Sequence, residues 1–219
     1  EPAGRASYYI IQNVGSILEK DNQNGLAHFL EHMAFNGTTR FPGKSLLSTL
    51  EKHGVAFGRD INAGTSFDET VYNLSDVPVD KPGLIDTCLM ILADWSDFIT
   101  LDENEINKER GVIIEEWRTR RSAQWRMMTK MLPVLFEGSM YAERDIIGDT
   151  AVLKNFLPET IREFYHDWYR TDLQAIAVVG DIDVDETEKK IKQIFSSIPR
   201  IENPAPRPEN LLVPKAGTR

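Results

Sequence analysis

Two histidines and a glutamate fall within five residues, His28-Phe29-Leu30-Glu31-His32. On an α-helix, side chains four apart lie one turn above each other, so both imidazoles can grip one cation from one face. Neutral imidazole is a favoured zinc ligand, and a carboxylate beside it can take a proton from metal-activated water. The order is H-x-x-E-H, the inverse of the commoner H-E-x-x-H. At 100° per residue, Leu26, Phe29, Leu30 and Met33 gather on one side, which packs into the core. His28, Glu31 and His32 gather on the opposite side, within roughly a 100° arc. The competing reading is a solvated helix face that happens to carry two histidines.

A catalytic zinc needs a third protein ligand and one open position. Cys88 is the only cysteine, which leaves a carboxylate or another histidine. A helix expected over 102–122 offers Glu109, Glu115 and Glu116 beside an apolar stripe of Ile106, Ile113 and Trp117, with Val112 at its edge. Glu109 and Glu116, seven apart, share one line between Val112 and Ile113, whereas Glu115 points roughly 160° from Ile113. Carboxylates within an apolar stripe are costly unless paired or metal-bound, which selects Glu109 and Glu116 over Glu115. Helical geometry leaves open which of the two touches the metal.

The elements that must position these groups follow from periodicity and punctuation. Residues 7–14 have strand character. Asn24 is a candidate N-cap for a helix running to about Asn36, with Gly37 as its stop. A second helix spans about 43–53 before Gly54. Strands over 57–64 and 70–74 are joined by a hairpin at 65–69. Helices follow over 81–99 and 102–122, the latter extending towards 136, then a loop at 137–148. A helix at 158–168, a strand at 175–180 and a helix at 183–195 complete the pattern, the last opening with Asp183 and Glu186 at capping-box spacing. Irregular alternation with a hairpin predicts an α+β fold, a mixed and largely antiparallel sheet packed against helices.

Composition narrows the function. The 219 residues carry 25 Lys and Arg against 34 Asp and Glu, a net charge of −9. That argues against a nucleic-acid partner, whose binding rests on neutralising phosphates. A hydrophobic content of 41% excludes a disordered chain. One cysteine excludes an internal disulfide framework and a multi-cysteine zinc site. The longest apolar runs, 88–93 and 175–179, are too short to span a bilayer. The chain lacks an initiating methionine, and residues 203–214 hold Pro204, Pro206, Pro208 and Pro214. We therefore expect an N-terminally truncated domain over 1–202 and a proline-rich linker over 203–219 leading to a following domain. His53 at a helix end, His166 in an aromatic cluster and Cys88 in an apolar helix read as structural. The basic cluster 118–121 reads as a solvated helix end.

The pentapeptide lies in Gly25-Leu-Ala-His-Phe-Leu-Glu-His-Met-Ala-Phe-Asn-Gly-Thr38, which resembles the inverted-zincin peptidases of the pitrilysin/insulinase family, a group that includes mitochondrial processing peptidases and bacterial zinc proteases. The similarity continues through Asn62-Ala-Gly-Thr-Ser-Phe-Asp-Glu-Thr-Val-Tyr72, through Glu109-Arg-Gly-Val-Ile-Ile-Glu-Glu116, and into residues 164–169 and 178–181. The resemblance implies that His28, His32 and Glu116 bind zinc, that Glu31 is the general base, and that Glu109 supports the site as a further acid. It implies a catalytic half-domain that acts on peptides together with following domains or a homologous partner subunit. Asn62, Ala63, Gly64 and Thr65 match an edge strand that takes the substrate as a further strand. Gly64 departs from the family pattern, in which a larger residue commonly follows Asn-Ala. Two alternatives stand beside a zinc endopeptidase. One is a non-catalytic scaffold subunit of the same fold, and the other is a small metal lyase with the same pentapeptide. A bacterial periplasm or cell envelope is preferred to the cytoplasm.

Overall fold

A computed structural model describes residues 3–209. Along the chain run β1 (Arg5–Gln12), α1 (Leu26–Met33), α2 (Ser45–Glu51), β2 (Ile61–Thr65), β3 (Thr70–Pro78), α3 (Leu84–Asp97) and α4 (Glu103–Thr119). They are followed by α5 (Ala123–Leu135), α6 (Met140–Glu143), α7 (Thr150–Asn155), α8 (Pro158–Trp168), β4 (Gln174–Gly180) and α9 (Val184–Phe195). The strands form one sheet in the order β2-β3-β1-β4. All three ladders between the strands are antiparallel, and the α+β expectation holds.

Alternation along β1 buries Ala6, Tyr8, Ile10 and Gln12 on one face of the sheet. Helices cover that face. Trp95 of α3 stacks on Tyr72 of β3 at 5.2 Å and meets Phe35 edge-on at 5.4 Å. Its indole N–H donates to the Ala34 carbonyl at 3.0 Å, tying the turn after α1 to α3. The core therefore clamps α1 from behind and leaves β2 as an edge strand, whose one ladder among the described residues is with β3 and whose first residue, Ile61, also bridges Phe57 in the preceding turn.

Several boundaries differ from the sequence reading. The strand expected from Phe57 begins at Ile61, because residues 57–60 form a turn held by the Asp60 carboxylate, which accepts from the Ala56 N–H at 2.8 Å. The helix expected from 102 towards 136 breaks after Thr119, where the Ser122 hydroxyl accepts from Trp125 N–H and starts α5 afresh. The expected loop at 137–148 contains the short α6, and α7 lies where the sequence pattern predicts no helix. His166 is exposed rather than part of the core. Cys88 is fully buried, and burial pushes its thiol up to about 12, the behaviour of an inert apolar residue. Of the expected linker, residues 203–209 carry no regular structure, and residues 210–219 lie outside the described residues.

Candidate active site

The site is built on α1, and the start of that helix is unusual. Gly25, not Asn24, occupies the N-cap position, with φ at +102°. The free amides there are taken by a side chain from upstream: the Glu19 carboxylate accepts from Gly25 N–H at 3.0 Å and from Ala27 N–H at 2.8 Å. Burial pushes Glu19 up to about 8 despite those two donors. Arg144 fixes the same residue through its carbonyl, at 3.0 and 2.8 Å. A Cβ on Gly25 would sit 2.7 Å from the Gly148 Cα, so these two glycines let the loop before α7 press against the helix start.

α1 is buried nearly all round. Leu26, Phe29, Leu30 and Met33 face the core as expected, but the opposite side is covered too: His28 is 5% exposed and Glu31 9%. α4 and β2 close over it. From α4 comes Glu116, whose Oε2 lies 3.3 Å from His32 Nε2 and 3.6 Å from His28 Nε2. Three donor atoms, one each from His28, His32 and Glu116, lie within 4.8 Å of one another. Two ligands about 2.0–2.1 Å from a tetrahedral zinc stand roughly 3.3 Å apart, so the spacing and the N, N, O donor set both suit that ion. The two glutamates that helical geometry leaves equivalent stand differently to the imidazoles. Glu116 faces both Nε2 atoms, while Glu109 sits behind His32, its Oε1 2.8 Å from Nδ1. Glu115 is exposed and pairs with Arg118 at 2.8 Å.

Behind Glu109 runs a chain of charge and amide. Asn36 donates to Glu109 Oε2 at 2.6 Å, and Lys44 donates to Asn36 Oδ1 at 2.5 Å. With Nδ1 set against Glu109, Nε2 of His32 points forward, and its lone pair becomes available once that nitrogen gives up its proton, the usual arrangement of an imidazole that can ligate a metal. Arg120 pairs with Glu116, and Arg121 stacks over Trp117 at 4.1 Å and Trp125 at 5.1 Å. The basic cluster 118–121 is thus engaged with the site and with α5, not simply solvated.

The electrostatics distinguish these groups. Burial, reinforced by neighbouring His32, lowers His28 to about 4, so its imidazole is neutral near pH 7. Burial also acts to lower His32, but hydrogen bonds to Glu109 and Glu116 and the nearby carboxylate charges outweigh it and raise His32 to about 9. Glu116 is lowered to about 2, chiefly by the His32 bond. Burial raises Glu31 above the usual carboxylate range, moderated by a hydrogen bond from Thr65. Such divergent shifts within one cluster are characteristic of functional sites.

The expected substrate residues Asn62, Ala63, Gly64 and Thr65 lie on the β2 edge. A Cβ on Gly64 would meet nothing within 4 Å, so the strand has open space there. Thr65 differs from the other three, because its hydroxyl donates to Glu31 Oε2 at 2.6 Å. Sequence reasoning did not anticipate Glu19, Asn36, Lys44 or Arg120. Only Arg120 carried a local signal, its i,i+4 spacing from Glu116.

The model of the family described as Insulinase (Peptidase family M16) matches residues 1–150, and that of the Peptidase M16 inactive domain matches 155–219. The probable zinc protease PqqL of Haemophilus influenzae is 39% identical over 204 residues, 93% of this chain and 22% of that protein. The probable zinc protease PqqL of Escherichia coli is 38% identical over 198 residues, 90% of this chain and 21% of that protein. The chain thus spans about a fifth of the length of these relatives. The crystal structure of the first half of the periplasmic protease PqqL from Escherichia coli superposes with a TM-score of 0.90 at 36% identity, covering 99% of this chain and 45% of that one. The chain belongs to the insulinase family of peptidases, family M16.

Proposed function

We propose that residues 1–202 form the catalytic domain of a zinc-dependent endopeptidase, that residues 203–219 lead to following domains, and that the whole acts on peptides or unfolded segments. The observation that carries this reading is the convergence of His28, His32 and Glu116 from two helices, with the buried carboxylate of Glu31 on the same helix face. His28, His32 and Glu116 would hold the zinc. The ion, when bound, supplies a Lewis acid that makes water acidic and polarises the scissile carbonyl. Glu31 takes the proton of the attacking water and passes it to the leaving amine; its burial favours the protonated form and so helps it hold the proton between those two steps. Glu109 fixes the His32 ring and its tautomer.

The free edge of β2 offers main-chain N–H and C=O groups to an extended peptide. Such pairing reads backbone rather than side chains and fits broad sequence tolerance. The scaffold and lyase alternatives have less support, since His28, Glu31, His32 and Glu116 are all present and the only cysteine is buried. The relatives named as zinc proteases and a solved neighbour described as periplasmic support zinc as the metal and a periplasmic setting. In the longest natural protein carrying this sequence, chelation should abolish peptide cleavage. Glu31→Gln should keep its zinc, measured by atomic emission, and lose at least about 100-fold in kcat. Wild-type turnover by metal-loaded Glu31→Gln overturns the assignment.

A further inference from the structure

A glutamate on a helix has three rotatable torsions, and a general base works only from a fixed position. Glu31 is buried, yet no Lys or Arg side chain pairs with it among the described residues. Its restraint comes from the sheet. Side chains at 61, 63 and 65 of β2 share one face, and Ile61 is fully buried beneath the helices, so Thr65 points the same way, towards α1. Its hydroxyl donates to Glu31 Oε2 at 2.6 Å. Thr65 is itself well placed to be rigid: it is β-branched, it is paired with Thr70 in the ladder, and the Thr70 hydroxyl, 3.4 Å away, is anchored on the Val14 carbonyl at 2.9 Å.

We infer that Thr65 is a positioning residue. Its hydroxyl holds one oxygen of Glu31 and leaves Oε1 free for the proton of the attacking water, registering the base to the strand that receives the peptide. This rests on the peptidase reading above. It removes Thr65 from the group of residues whose side chains would contact substrate, and gives β2 two tasks: main-chain docking along its free edge and alignment of the base at its end. Thr65→Val keeps the shape and strand preference but deletes the donor; Thr65→Ser keeps the donor.

The test uses the longest natural protein carrying this sequence, loaded with zinc, and a fluorogenic peptide. Thr65→Val should lower kcat about 10–100-fold with KM within about twofold, and Thr65→Ser should recover most of the rate. Binding of a peptide hydroxamate, measured by calorimetry without turnover, should weaken about tenfold in Thr65→Val, while zinc affinity stays within about twofold. If Thr65→Val does not fold, Thr65→Ala replaces it with the same expectations. A raised KM with unchanged kcat overturns the inference in favour of substrate contact. Wild-type kcat in the valine variant, with Glu31→Gln inert, also overturns it and leaves the peptidase assignment standing. Inert zinc-loaded wild type removes both.

Discussion

Glu109→Gln is the sharpest probe of how the metal site is tuned. With His32 at about 9, His28 at about 4 and Glu116 at about 2, only His32 carries a proton that a metal must displace near pH 8. Zinc binding by the wild type should therefore draw about 0.9 proton from His32 near pH 8, on top of whatever metal-bound water releases equally in wild type and variant. The amide introduced by Glu109→Gln can still accept from Nδ1–H but brings no charge. His32 should then fall back towards its ordinary 6.5, and its share of the release should drop to about one quarter of a proton if it reaches roughly 7.5. Isothermal calorimetry in buffers of different ionisation enthalpy measures the number directly. The metal-free protein supplies a second check. His32 is raised in the folded state, so its contribution to stability is complete below pH 6.5 and lost as pH rises through about 9, about 3 kcal/mol over that window. Glu19 has the same sign between 4.5 and about 8. For that reason the quantity to compare is the difference between wild type and variant. It should be largest near pH 6 and shrink towards pH 9.5. Equal proton release by the two proteins, or a difference in stability independent of pH, would refute the assignment of the His32 proton to Glu109.

His28→Ala and Glu116→Ala should each weaken zinc binding by more than about 100-fold, read by competition with a chromophoric chelator, whereas Glu115→Ala should leave it unchanged. Gly25→Ala places a Cβ at φ +102° and 2.7 Å from the Gly148 Cα, so urea unfolding should show a loss above about 2 kcal/mol, accompanied by weaker metal binding. Gly64→Phe fills open space beside the edge strand. In a peptide library it should narrow the accepted residues next to the cleaved bond with little change in stability, and an unchanged cleavage profile would place that pocket elsewhere.

The competing reading of a solvated polar face on α1 shows what a single helix leaves open. A helical wheel separates Leu26, Phe29, Leu30 and Met33 from His28, Glu31 and His32, but it cannot report that α4 and β2 cover the second group. The capping of α1 shows the same thing at the backbone. Asn24 has the right chemistry and position for an N-cap, yet Glu19 wins, because the chain between them folds back and Arg144, far along the sequence, fixes Glu19 from the other side. Helix breaks escape the sequence where the signal is a single polar residue, as at Ser122, within an otherwise helical pattern.

What the sequence determines here is whatever obeys a short, fixed repeat. The four-residue spacing of His28 and His32, the seven-residue spacing of Glu109 and Glu116, and the strand character of residues 7–14 each follow from the geometry of one element, so they were legible without any partner. Which glutamate faces both imidazoles, which one aligns the ring, how Thr65 meets Glu31 and why the half-buried His32 holds a proton are relations between residues up to 88 positions apart. They were decided by the packing of α4 and β2 onto α1. Distances, desolvation and hydrogen bonds across such gaps exist only once the chain has closed around them.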